Sequence, residues 1–184
     1  MTTLISKRLI IISGFTQSKA EPNGSEQLWL ELRKHETPAC RVSMQMWNTN
    51  WEHFAEHVWR TKAPDLDVRV FAYSWGVGNG FLCLAKELQK RAIGITHAVL
   101  CDGVYYNGWL PWRALFSPFV EPKIVVPENV GEVFWLFQRM NKPQAHGVTA
   151  VGDTTIHDPI ELKCTHHYAD ESPEYHTLAQ EVSR

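Results

Sequence analysis

The sequence predicts an α/β protein with a mostly parallel sheet of about six strands flanked by helices. Two observations predict this fold class. The chain has several short apolar segments rich in Ile, Val and Leu, and these alternate with segments whose apolar residues recur every three or four positions. The chain of 184 residues shows no internal repeat and is long enough for one domain with a real core. We therefore expect a single domain over residues 1–184.

The strands are predicted from their apolar patterns. Residues 8–13 (RLIIIS) and 68–73 (VRVFAY) are apolar runs, which suit strands covered on both faces. Residues 41–47 (RVSMQMW) instead alternate between apolar and polar side chains. The six strands, in chain order, are predicted at residues 8–13, 41–47, 68–73, 97–101, 148–151 and 160–165.

Helices are predicted between these strands from the 3.6-residue period. Residues 26–34, residues 51–60 and the stretch that follows Ser74 each place their apolar side chains on one face. For the last helix, Ser172 is predicted as the N-cap and Pro173 as the first helical residue, a pair that satisfies or removes orphan backbone donors.

One segment, residues 104–147, departs from this alternation. It holds nine aromatic residues and several prolines, which is too aromatic for a solvated loop. We interpret it as an insertion or cap that packs over the functional edge of the sheet. Within it, Tyr105, Trp109 and Trp112 are predicted to line a substrate pocket.

Composition restricts the classes of function. The formal net charge of -2 argues against nucleic acid or an acidic membrane as an obligatory partner, and no apolar stretch approaches the length of a membrane span. The four cysteines lie far apart without CxxC spacing, so we expect free thiols and a cytoplasmic location. The C-terminal histidines lack metal-binding spacing, and we expect neither a metal nor a cofactor.

The most informative motif is AYSWG, which follows the predicted third strand. A serine on a tight strand-to-helix turn needs small residues two positions before and after it, and Ala72 and Gly76 meet that need around Ser74. Such a turn exposes the hydroxyl at the carboxyl end of the sheet. The pattern predicts a nucleophile, although a serine that merely caps a helix has the same local sequence.

A phosphate cradle is the alternative interpretation of this stretch. Gly76, Gly78 and Gly80 stand on alternate positions, with Asp102 at the end of the next strand as a candidate ribose partner. The dinucleotide fingerprint, however, requires a third glycine where this chain has Phe81, and it belongs on the first strand. The nucleophile interpretation is therefore favoured.

The order of strand, serine elbow, acid and final histidine resembles the α/β-hydrolase superfamily, particularly small and cutinase-like esterases. The resemblance implies a minimal α/β-hydrolase fold and a triad acid after the strand before last, where GVTAVGD provides Asp153. Asp158 and Asp102 are weaker alternatives. Asp170 is interpreted as a solvated or turn residue.

The resemblance also implies a base after the last strand, in KCTHHYADESPE. Counting back seven positions from the proline of the family pattern, here Pro173, gives His166, which is the favoured base. The aromatic residue that commonly follows the base makes His167 the close alternative. The family's oxyanion donors correspond to the backbone amides of Phe15, in SGFT, and Trp75.

These residues predict a serine hydrolase that cleaves a carboxylic ester or thioester of a small molecule through an acyl-enzyme intermediate. The same triad could serve an amidase or peptidase. A non-catalytic module that binds a ligand or a protein on a hydrolase scaffold is the alternative from a different class.

Overall fold

The computed structural model describes residues 4–15, 23–105 and 123–184. Within this part of the chain the fold is α/β, as predicted, with a parallel central sheet of seven strands and helices on both faces. Trp109 and Trp112 lie outside the described residues. None of the helices in the described ranges is long and apolar enough to cross a membrane.

The strands and helices are numbered in chain order. The strands are β1 (Ile5–Ser13), β2 (Cys40–Met46), β3 (Lys62–Tyr73), β4 (Ile95–Cys101), β5 (Ile124–Val126), β6 (Val130–Gln138), β7 (Val148–Ala150), β8 (Thr155–Ile156) and β9 (Ile160–Leu162). The helices are α1 (Gly24–Arg33), α2 (Trp51–Thr61), α3 (Leu82–Gln89) and α4 (Pro173–Ser183). A π-helical turn (Gly76–Phe81) precedes α3, and a 3-10 helix (His166–Glu171) precedes α4.

The main sheet has the order β2-β1-β3-β4-β6-β8, and β9 also pairs with β6. Each of these pairings is parallel. The carboxyl ends of β1, β3, β4 and β6 therefore lie at one edge of the sheet, where open α/β sheets form their sites.

Strand β6 is the main difference from the prediction. Residues 130–138, which were assigned to the aromatic segment, form a strand next to β4 in the main sheet. Phe134 packs against the core on one face of the sheet and Trp135 against the core on the other. These aromatic side chains therefore build the core, and the insertion interpretation does not apply to them.

The predicted fifth strand also differs in its place. Residues 148–150 do form a strand, β7, but it pairs with β5 in a separate two-stranded sheet. Residues 160–162 form β9, shorter than the predicted strand at 160–165, and it joins the main sheet through β6.

The sheet separates two apolar cores, as the period of two along a strand requires. In β1, Ile10 and Ile12 face α2 and α3, whereas Leu9 and Ile11 face α1 and α4. All four side chains are essentially inaccessible to solvent. Because both faces of β1 are covered, its apolar run is continuous, and its carboxyl end is held rigidly at the edge of the sheet.

The last helix, α4, begins with the predicted capping residues. Ser172 is the N-cap of α4, its side chain accepts a hydrogen bond from the backbone N–H of Tyr175, and Pro173 occupies the first turn. Asn23 and Glu26 form a reciprocal capping box at the start of α1. These caps fix the two helices that cover the face of the sheet beside the 3-10 helix.

Candidate active site

Ser74 lies on a sharp turn between β3 and the π-helical turn, and its φ of 53° is left-handed. For a residue with a Cβ this conformation is strained, and it is the conformation expected of a nucleophile elbow. The Ser74 amide donates to the carbonyl of Cys101 at 3.0 Å, and its carbonyl accepts from Val77 at 3.0 Å and Val104 at 3.1 Å. The turn is thus fastened by backbone bonds on both sides.

The alternate glycines after Ser74 allow this turn to pack against neighbouring backbone. A Cβ added at Gly76 would lie 2.5 Å from the carbonyl oxygen of Ile12, and one at Gly78 would lie 2.1 Å from that of Val104. At Gly80 it would lie 2.6 Å from the Ile12 side chain. Close packing against β1 and the loop after β4 therefore accounts for all three glycines without a bound phosphate.

His166 stands at the start of the 3-10 helix and reaches Ser74. Its Nε2 lies 2.9 Å from Ser74 Oγ, and its Nδ1 lies 2.5 Å from Asp102 Oδ2. A carboxylate can only accept, so Nδ1 donates to Asp102 and Nε2 accepts from the serine hydroxyl. The side chain of His166 is 14% exposed. This geometry lets the imidazole remove the serine proton.

The carboxylate partner of His166 is Asp102 and not Asp153, which corrects the favoured prediction. Asp153 is exposed on the loop after β7, and Asp158 is exposed as well. The prediction missed the place of β6 in the main sheet and took β7 for the strand before last. The carboxylate that contacts His166 instead follows β4, the strand that pairs directly with β3, so it emerges beside Ser74.

Asp102 is fully buried, and both of its oxygens have partners. Oδ2 faces His166, while Oδ1 accepts from the backbone N–H of Gln138 at 3.2 Å. Its φ of 44° is left-handed. Among the described residues other than glycine, positive φ occurs at Ser74, Ala92 and Asp102, so two of the three strained positions belong to this site.

The two candidate histidines separate clearly. His167 is exposed, and its ring contacts the edge of the Tyr168 ring at a centroid distance of 5.4 Å. His166 contacts both Ser74 and Asp102. The count from Pro173 therefore identifies the histidine that the structure brings to the serine, and the aromatic-neighbour rule does not.

Tyr73 is a site residue that the sequence analysis missed. Its hydroxyl donates to the backbone carbonyl of His166 at 2.6 Å, and its ring stacks on the imidazole with centroids 5.5 Å apart. Burial, followed by the nearby Asp170 carboxylate, raises the pKa of Tyr73, so the hydroxyl stays protonated and donates. Its place directly before Ser74 was the available signal.

Two further residues, Asp170 and Cys101, form hydrogen bonds that hold the 3-10 helix that carries His166. Asp170 is buried and accepts from the backbone N–H and hydroxyl of Ser25 at 2.9 and 3.1 Å, at the start of α1. The thiol of Cys101 donates to the carbonyl of Ala169 at 3.3 Å, and burial raises the pKa of that thiol. Asp170 is therefore an anchor, which corrects its interpretation as a solvated turn residue.

An aromatic cluster lies beside the serine. The rings of Phe15, Trp47 and Trp75 contact one another pairwise at centroid distances of 5.4 to 5.7 Å. Trp75 follows Ser74 directly, and Phe15, which is 47% exposed, follows the end of β1. The cluster is therefore apolar and partly exposed, and it includes the residue that follows Ser74 in the chain. Trp47, just after β2, was not predicted to take part.

Tyr105, the described member of the predicted pocket, is partly buried against the core that contains α2 and α3. Its backbone N–H donates to Nδ1 of His146 at 2.9 Å. The neighbouring residue Val104 bonds to Ser74, so this loop lies at the edge of the site.

Among the described residues, no group of three or more potential metal-ligating side chains is arranged to hold a metal ion.

Comparisons with protein-family models, with curated proteins and with solved structures gave no match. Assignment of a function therefore depends on the geometry of the site.

Proposed function

We propose that this protein is a serine hydrolase that cleaves a carboxylic ester or thioester. One observation carries the proposal. Ser74 Oγ, His166 and Asp102 form a continuous hydrogen-bonded relay of 2.9 and 2.5 Å at the carboxyl edge of a parallel sheet. The strained turn at Ser74 supports the further proposal that the fold belongs with the α/β-hydrolases.

In the proposed mechanism, Ser74 Oγ attacks the acyl carbonyl while His166 Nε2 takes the hydroxyl proton. Asp102 holds the imidazole in the productive tautomer and stabilises the imidazolium that forms. The imidazolium then protonates the leaving alcohol or thiol as its bond to the acyl carbon breaks. Water attacks the resulting acyl-enzyme with His166 as base again, which releases the acid and restores Ser74.

The backbone amides of Phe15 and Trp75 are the proposed donors to the tetrahedral oxyanion. The approach of the end of β1 to the serine supports this assignment, because a Cβ on Gly14 would lie 3.0 Å from the Cβ of Ser74. Phe15 follows Gly14 directly, and Trp75 opens the turn after the nucleophile. Both amides thus belong to segments that border the hydroxyl.

The aromatic cluster of Phe15, Trp47 and Trp75 supports an apolar acyl group as the substrate portion next to Ser74. Desolvation by these rings would strengthen the interaction of the oxyanion with its donors. We propose a small acyl ester as the partner, and the formal net charge of -2 argues against nucleic acid as an obligatory one. A cytoplasmic location is part of the proposal, and the four free cysteines support it.

A fluorophosphonate probe tests this proposal directly. The probe is expected to label the wild-type protein at Ser74 and to leave Ser74→Ala unlabelled, with the modified peptide identified by mass spectrometry. A panel of matched esters, thioesters and amides then identifies the leaving group. Equal labelling of both proteins, or turnover that survives in Ser74→Ala, would show that the mechanism is wrong.

A further inference from the structure

Gln138, the last residue of β6, is fully buried at the centre of a hydrogen-bond network. Its side-chain Nε2 donates to the carbonyls of Asn141 at 3.1 Å and Pro143 at 2.9 Å. Its Oε1 accepts from the backbone N–H of Asn141 at 3.0 Å. Both amide protons and the amide oxygen are thus used to shape the loop that follows β6.

That loop reaches back to the histidine of the proposed triad. The side-chain Oδ1 of Asn141 accepts from the backbone N–H of His166 at 2.7 Å. On the other side, the backbone N–H of Gln138 donates to Asp102 Oδ1, and Asp102 Oδ2 faces His166 Nδ1. The four residues therefore close a ring that runs from Asp102 through Gln138 and Asn141 to His166 and back to Asp102.

We propose that Gln138 is a positioning residue for His166. Its side-chain amide holds Asn141, which bonds to the His166 backbone, and its backbone N–H orients Asp102, which bonds to the His166 ring. This inference rests on the proposed hydrolase function. Asn141 is exposed on a loop, so its own side chain has little packing to hold it. The buried Gln138 amide supplies the missing rigidity, because three hydrogen bonds tie that loop to the end of β6.

Such support matters because proton transfer depends on sub-ångström placement. The His166 Nε2 to Ser74 Oγ distance of 2.9 Å must persist while the imidazole gains and loses a proton. A loop that relaxes at Asn141 would release the backbone N–H of His166 and widen the range of imidazole positions. Substrate binding next to the aromatic cluster would be unaffected, so the effect should fall on kcat and not on KM.

Gln138→Leu tests the inference with a side chain of similar size that cannot form the three bonds. We expect kcat to fall about tenfold or more, with KM changed less than about twofold. Gln144→Ala is the matched control. Gln144 is a glutamine of the same loop whose Nε2 donates to Arg139 at 3.1 Å, but it is exposed and makes no bond in the ring. Its loss should leave both constants unchanged.

A second pair of variants avoids the risk that a core substitution alters folding. Asn141→Ala removes the acceptor for the His166 N–H at an exposed position and should lower kcat several-fold. Asn141→Asp keeps an oxygen acceptor in the same place and should recover most of that loss. Recovery by Asn141→Asp supports positioning through this bond, and equal losses in both variants contradict it.

Proton NMR provides a readout that does not need turnover. The His166 Nδ1–H bonded to Asp102 is expected as a downfield resonance in the wild type, and to broaden or exchange faster in Gln138→Leu and Asn141→Ala. If the wild type is not labelled by a fluorophosphonate, the proposed function fails whatever this resonance shows. Wild-type kcat and an unchanged resonance in both folded variants would overturn the positioning role while leaving the hydrolase proposal intact.

Discussion

The two sides of the candidate site are built by different means. Ser74 is held by backbone packed against backbone, with Gly76 where the turn meets β1 and Gly78 where it meets the loop after β4. His166 is held by side chains, among them Tyr73, Asn141 and Asp102, that bond to its backbone or its ring. The serine side has little room for added atoms. On the histidine side, we expect that either bond to the His166 backbone, from Tyr73 or from Asn141, can be removed alone at moderate cost. The predictions below test that contrast.

The largest effect is expected from the serine itself. Ser74→Ala should lower turnover by about 10⁴-fold or more, because the attacking oxygen is lost, while the free energy of unfolding changes little. Ester hydrolysis and a urea titration of the same preparation measure both quantities. A variant that keeps substantial turnover would contradict the assignment of the nucleophile.

The second prediction separates the two acid candidates. Asp102→Asn should lower kcat by about 10⁴-fold, as in other triads where the orienting carboxylate becomes an amide that favours the wrong imidazole tautomer. Asp153→Asn is the matched control and should be indistinguishable from the wild type, because Asp153 is exposed on the loop after β7. Reversed kinetic effects would restore Asp153 as the acid.

The third prediction concerns the packed glycines. Gly78→Ala should destabilise the fold by ~3 kcal/mol or more, because the added Cβ would meet the Val104 carbonyl at 2.1 Å and backbone must move. Gly147→Ala, which has open space around the added methyl group, should change stability little. Thermal unfolding of both proteins tests this, and similar melting temperatures would remove the packing argument.

A smaller effect is expected at Tyr73. Tyr73→Phe removes the hydroxyl that bonds to the His166 carbonyl but keeps the stacked ring, so stability should fall by ~1 kcal/mol and kcat by only a few-fold. Steady-state kinetics and chemical denaturation measure the two losses. A loss as large as that of Asp102→Asn would mean that the backbone bond of His166 to Tyr73 is as critical as its ring bond to Asp102.

The smallest effect is a pH dependence of the stability that arises from His146, in the loop between β6 and β7. Burial lowers the pKa of His146, whose Nδ1 accepts from Tyr105. The unfolded chain therefore binds more protons, so this stabilisation is full above the ordinary histidine pKa of about 6.5 and is lost as the pH falls through the lower folded pKa. His146→Gln should lose less stability than the wild type between pH 7.5 and 5. A steeper loss would contradict the sign.

The sequence was sufficient for the fold class and for residues whose signal is local. The tight turn at AYSWG and the N-cap at Ser172 each follow from a few neighbouring residues. The choice between His166 and His167 depended on the family resemblance, whose two rules disagreed. The acid could not be found in this way, because its choice depends on which strand pairs with which. Val133 and Leu136 of β6 pack in the two opposite cores. Because both faces of β6 are covered, its sequence lacks the alternation of apolar and polar residues that marks a strand exposed on one face.

The side-chain contacts on the histidine side also escaped prediction for a physical reason. Tyr73 and Asn141 lie 93 and 25 positions from His166 in sequence, and hydrogen bonds across such separations leave no periodic trace. Asp170 looked like a turn residue because its partner, Ser25, belongs to a helix at the other end of the chain. Only the assembled sheet brings these groups together.

Placing the acid after β4 has a consequence for engineering. The proposed nucleophile and acid follow two strands that pair with each other, β3 and β4. Neither comes from β7, which pairs with β5 in the small separate sheet, or from β8. Length changes or grafted recognition loops in the exposed turn at residues 151–154, between β7 and β8, should therefore be accommodated. Comparable insertions in the turn directly after β3 would displace Ser74 from His166.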